Sequence, residues 1–99
     1  MSSSKEFKNF VLEQLNDIPD ISCKPMMGEF LLYQNGRLFG GIYDDRLLIK
    51  KTPSNKNYAL LEEIPYKNAK PMYMVENLDD KAYLKNLILT TCKDLIKNA

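Results

Sequence analysis

Ninety-nine residues with 44% hydrophobic and 27% charged side chains describe a single domain, 1–99, that needs neither a disulfide nor a metal as a staple. Fourteen Lys and Arg against thirteen Asp and Glu leave a net charge of +1, which excludes the long-range field of a domain built on phosphate contacts. No apolar run approaches the ~18 residues of a membrane span and the opening MSSSKEF has no apolar secretory core, so the sequence predicts a soluble, cytoplasmic chain in which Cys23 and Cys92 stay reduced as small core residues.

In chain order, Ser3 followed by Glu6 matches a capping box, and Phe7, Phe10, Val11 and Leu15 then recur at helical spacing, which predicts an amphipathic helix from about Ser4 to Asn16. Ile21 to Met27 reads as extended, an edge strand or ordered loop, because Pro25 supplies no ladder N–H and pushes Lys24 out of the α region. Glu29 to Gln34 and Arg37 to Tyr43 flank Asn35-Gly36, the strongest short-range hairpin signal, since both residues tolerate positive φ. That turn pairs Gln34 with Arg37, Tyr33 with Leu38, and Leu32 with Phe39. A similar turn at Asp44-Asp45 opposes Ile42 to Leu47 and Gly40 to Ile49.

This register puts Leu31, Tyr33, Leu38, Ile42, Leu47 and Ile49 on the face that receives the helices. Phe30, Leu32, Phe39, Tyr43 and Leu48, interleaved with Gln34, Arg37, Arg46 and Lys50, fall on the other. A one-residue slip redistributes these sets, and Gly40-Gly41 in mid-strand signals a bulge or a close approach. Thr52-Pro53 opens a short helix running through Tyr58 to Glu63, which Pro65 stops. Tyr66 to Lys70 is a connection or short strand, and Met72 to Glu76 a strand. Asn77 caps a last helix with Asp79 and Asp80 in its first turn, Lys93 and Lys97 near its end, and a stripe of Leu84, Leu87, Ile88, Thr91, Cys92, Leu95 and Ile96.

Chemistry is sparse. The chain has no histidine, its two cysteines cannot build a zinc site alone, and no GxxxxGK[ST] or GxGxxG is present, so neither a metal nor another cofactor is implied. Asp44-Asp45 is explained by turn chemistry, Met26, Met27, Met72 and Met74 by core gap-filling, and Lys81, Lys85, Lys93 and Lys97 by a solvated helix face. The mixed sheet face is covered either by another part of the chain or by a partner, whose contacts would fall on Phe30, Leu32, Arg37, Phe39, Tyr43, Arg46, Leu48 and Lys50. In the second case Phe39→Glu abolishes association and leaves folding cooperative.

Lys24, Met26-Met27-Gly28, Leu32-Tyr33, Asn35-Gly36, Leu38-Phe39, Asp44-Asp45-Arg46, Leu47-Leu48-Ile49-Lys50 and, further on, Pro71-Met72-Tyr73 resemble in order and spacing the N-terminal domain of the TfoX/Sxy family of bacterial competence regulators. Met27 stands where that family usually has phenylalanine, and Glu29 where a second glycine is common. The resemblance implies a two-layer α+β fold, an antiparallel β-sheet backed by three helices in the order α-β(3)-α-β(2)-α. It also implies a stand-alone module, because the C-terminal helical domain of full-length members has no counterpart in this sequence. The function it implies is a non-enzymatic protein-interaction module of transcriptional regulation, binding a transcription factor or polymerase subunit, or itself, without strong nucleic-acid or membrane binding. Two alternatives stay open: a small-ligand site between sheet and helices near Gly28, Gly40 and Gly41 using Tyr33, Tyr73 or Lys24, and a nucleic-acid platform using Arg37, Arg46, Lys50 and Lys51 with Phe39 or Tyr43.

Overall fold

Asn35 and Gly36 stand at φ 52° and 79°, the paired positive values that close a two-residue hairpin with the twist of its strands. The same device recurs at Asp44-Asp45 (φ 52° and 55°) and at Met27-Gly28 (φ 50° and 85°). Three tight hairpins therefore link four consecutive strands, β1 (Ile21–Met26), β2 (Glu29–Gln34), β3 (Arg37–Ile42) and β4 (Leu47–Ile49). The computed structural model describes residues 3–97; the side chain of Lys97, expected near the negative end of the last helix, lies outside the described residues. A short 3₁₀ helix (Asn55–Tyr58), β5 (Leu61–Glu63) and β6 (Met72–Val75) follow, and α1 (Lys5–Gln14) and α2 (Lys81–Lys97) bracket the whole. The sheet is antiparallel throughout, in the order β1-β2-β3-β4-β6-β5.

The α+β class and the two-layer plan hold, with two α-helices rather than three. The helix expected from Thr52 to Glu63 is confined to the 3₁₀ turn. Ala59, at φ 54°, ends it, and Leu61–Glu63 instead pairs with β6. Both long helices also start later than the capping patterns suggest, α1 by one residue and α2 by three. Ser4, not Ser3, caps α1 by accepting from the Phe7 N–H at 3.1 Å. Asp80, not Asn77, caps α2 by accepting from the Tyr83 N–H at 3.1 Å. The Oγ of Ser3 instead donates to Glu29 Oε1 at 2.7 Å and accepts from the Asp45 N–H at 3.0 Å, tying the N-terminus to two hairpins.

One packed core lies between the helices and the sheet. Val11 and Leu15 of α1 and Leu84, Leu87, Ile88 and Cys92 of α2 meet Leu32, Phe39, Ile42, Leu47, Ile49, Tyr73 and Val75. Beside it Asn55, fully buried, ties the 3₁₀ turn to α2 and β4. Its amide donates to Thr91 Oγ1 (2.9 Å) and to the Lys50 carbonyl (2.8 Å), and its carbonyl accepts from the Thr52 N–H (2.8 Å). Both helices use the same side of the sheet, so the other side is left without a helix.

Candidate functional site

The register decides what that helix-free side carries. Gln34 pairs with Arg37 and Tyr33 with Leu38 as the turn dictates, but Leu32 pairs with Gly40, because a β-bulge at Phe39 sets two residues of β3 against one of β2. The expected Leu32–Phe39 pair is therefore absent. Beyond the bulge Ile42 opposes Leu47 and Gly40 opposes Ile49, as expected. Gly40 makes the bulge possible: a Cβ there would drive into the Leu48 carbonyl oxygen and come within 2.9 Å of Ile49 Cα.

A bulge inverts the side-chain alternation, so the eight residues expected on one face divide between two. Phe30, Leu32, Arg37 and Phe39, before the inversion, fall on the helix side; Leu32 and Phe39 have no exposed surface and belong to the core. Tyr43, Arg46, Leu48 and Lys50, after it, stay on the helix-free side. Conversely Leu31, Tyr33 and Leu38, expected beneath the helices, stand half-buried on the helix-free side, with Met72 and Met74 of β6.

The eight are thus not one surface. The alternative constellations divide as well. The sheet separates Lys24 and Tyr33, which stack as a cation–π pair at 5.3 Å, from Tyr73, which faces the core and carries Lys51 over its ring at 5.6 Å. Gly41 is roofed by the ring of Tyr43, so the two mid-strand glycines serve close packing rather than a cavity between sheet and helices. Phe39 is not available to stack on a base.

What covers the helix-free side is partial and local. The segment from Ile64 to Pro71 crosses it, anchored where the Arg46 guanidinium donates to Glu63 Oε1 (3.0 Å) and to the Ile64 carbonyl (3.4 Å). From this segment Tyr66 lays its ring at 53° to that of Tyr43, centroids 6.1 Å apart. Burial, aided by Tyr66, raises the pKa of the Tyr43 phenol. On one side of this tyrosine pair a cleft of about 620 Å³ opens between Leu38, Lys50, Lys51, Met72 and the Pro65–Pro71 segment. On the other a hollow of about 450 Å³ is lined by Met26, Met27 and Glu29.

Four of the six large apolar side chains exposed among the described residues lie on or beside this side; the other two, Phe10 and Ile96, lie on the helices. Met27 is 96% exposed, Tyr66 59% and Leu61 57%, with Ile64 at the start of the crossing segment also exposed. Met27 is held at φ 50° in a turn where Asn or Gly is cheaper, so a bulky apolar side chain is presented to solvent at a conformational cost of about 1 kcal/mol. Met27, expected with Met26, Met72 and Met74 to fill core gaps, is instead exposed at the edge of this side, and sequence reasoning did not single out Leu61, Ile64 or Tyr66 as site residues. The Met-Gly dipeptide carried a turn signal, but nothing local indicated that the 64–71 segment folds back across the sheet.

The thiols offer no reactive centre at neutral pH. Burial pushes the Cys92 thiol up to about 11, and burial, opposed by the Lys8 ammonium, raises that of Cys23. The unfolded chain ionises Cys92 near 9.0, so the stability it contributes below pH 9 is lost as pH rises through about 11. Alkaline denaturation followed by circular dichroism is expected to show a shallower loss between these pH values in Cys92→Ala than in the wild type, a difference of up to about 2 kcal/mol. Among the described residues no helix is long and apolar enough to cross a membrane, and no cluster of three or more metal-ligating side chains forms.

Residues 13–88 match the profile of the TfoX N-terminal domain. Among curated proteins the chain is 26% identical over 84 residues to an uncharacterized 12.7 kDa protein in the trpE 5' region of Spirochaeta aurantia, covering 83% of this chain and 73% of that one. With about three quarters of its length under one domain profile, the chain belongs to the TfoX N-terminal domain family.

Proposed function

We propose that this domain is a non-enzymatic protein-interaction module of the transcription-regulatory kind, working through the helix-free face of its sheet. The observation that carries the reading is the gathering of Met27, Leu61, Ile64 and Tyr66 on or beside that face, exposed, around half-buried Leu31, Tyr33 and Leu38. Aromatic and methionine side chains with a nearby arginine are the types that interfaces favour, and a specific interface buries ~800 Å² on each partner. Strain at Met27 supports the same reading, since a residue kept in an unfavourable turn conformation usually serves something other than stability. Membership of the family favours a transcription factor or polymerase subunit as the partner, with a second copy of the chain as the competing occupant.

Met27→Asn tests this sharply because it acts in opposite directions on fold and function. It creates an Asn-Gly turn, so denaturant unfolding is expected to show a gain of about 0.5–1 kcal/mol. Affinity purification from native lysate with Met27→Asn/Tyr66→Ser is expected to lose a regulator or polymerase subunit that the wild type retains. Equal retention by both proteins removes the reading. Light scattering identifies self-association, which predicts a dimer mass for the wild type and a monomer mass for the variant.

A further inference from the structure

We propose that the cleft beneath the Ile64–Pro71 segment is a binding site for a small organic anion with a flat apolar body, such as an aromatic carboxylate or aryl phosphate. Its volume of about 620 Å³ lies within the range of small-molecule sites, roughly 300–1,000 Å³. Leu38 and Met72 give it an apolar floor, and Tyr43 and Tyr66 wall one end with two rings. Its roof is braced by the Arg46 contacts to Glu63 and Ile64, so the cavity exists before any ligand arrives.

The charge distribution specifies the ligand. Lys50, Lys51 and Lys70 line the cleft and no carboxylate does, although the Lys51 ammonium itself lies over Tyr73 on the core side. The nearby acids are already engaged: Glu63 holds Arg46 at 3.0 Å and Glu62 holds Lys51 at 2.9 Å. Lys50 and Lys70 have no ion-pair or side-chain hydrogen-bond partner among the described residues. Two uncompensated ammonium groups beside an apolar, aromatic-walled hollow match a ligand that carries its negative charge at one end of a ring system. This goes beyond protein recognition by the same face, and neither reading requires the other.

The test is an NMR titration of the ¹⁵N-labelled full chain at low salt with 2-naphthoate and with phenyl phosphate, using naphthalene-2-carboxamide as the neutral control. At least one anion is expected to shift, saturably, the amides of Lys50, Lys51, Ala69 and Lys70, and the amide control to bind at least about tenfold more weakly. Lys50→Gln/Lys70→Gln is expected to weaken the anion at least about tenfold while leaving the remaining spectrum in place. Lys5→Gln/Lys56→Gln, which removes the same charge elsewhere, should leave the affinity unchanged. Absence of saturable shifts with both anions, shifts scattered over the surface lysines, or equal weakening by the two double variants overturns the proposal. These readouts use the isolated protein, so their failure is separate from failure to retain a protein partner.

Discussion

Phe39→Ala is expected to destabilise the domain by about 3–5 kcal/mol, and Phe39→Glu to prevent folding, as read by denaturant unfolding and by the dispersion of the NMR spectrum. Phe39 is the largest side chain without exposed surface, packed among Leu32, Ile42, Leu47 and the α2 stripe. Its removal opens a cavity in the only core found among the described residues, and a buried carboxylate there finds no partner. Leu38, one residue earlier, stands half-buried on the opposite side of the sheet, and Leu38→Ala should cost about 1 kcal/mol. Similar costs for the two truncations would contradict the bulge register, and a folded Phe39→Glu would restore the expectation of an exposed Phe39.

Asn55→Ala is the second large effect, with an expected loss of about 3 kcal/mol or more by the same measurement. The side chain satisfies three groups at once, the Thr52 N–H, the Lys50 carbonyl and Thr91 Oγ1, and the backbone N–H of Asn55 donates to Thr52 Oγ1 at 3.3 Å. Each buried group left without a partner costs roughly 1–3 kcal/mol, and Asn55 has no exposed surface. Thr91 keeps its bond to the Leu87 carbonyl (2.9 Å), so α2 itself survives. The effect should therefore appear as loss of docking between the 3₁₀ turn and α2. A loss below about 1 kcal/mol would mean that the network adds little beyond packing.

Much of the fold was legible because its signals are local. Asn35-Gly36 fixed the first register, Asp44-Asp45 the second, and the stripe from Leu84 to Cys92 identified the packed face of α2. Gly40-Gly41 signalled a bulge, yet its position could not be read from composition. One residue of uncertainty there exchanges Phe30, Leu32, Arg37 and Phe39 for Leu31, Tyr33 and Leu38. The candidate site was harder still. Tyr43, Arg46, Leu48 and Lys50 were assigned to the helix-free face and lie on it, but its exposed rim depends on where the 64–71 segment crosses. That path is set by the Arg46 contacts with Glu63 and Ile64, 17 and 18 residues away, which no periodicity encodes. The helix expected after Thr52-Pro53 failed for a related reason: pairing with β6 captured Leu61–Glu63 in spite of the preceding helix-start signal.

The most direct test of the helix-free face as the recognition surface is hydroxyl-radical footprinting of the purified domain, alone and after mixing with native lysate. Met27 and Tyr66 lie on that face; Phe10 and Ile96, also exposed, lie on the two helices of the opposite side. Protection of Met27 and Tyr66 with unchanged oxidation of Phe10 and Ile96 is the predicted result. Unchanged oxidation of Met27 and Tyr66, or protection confined to Phe10 and Ile96, would contradict the account.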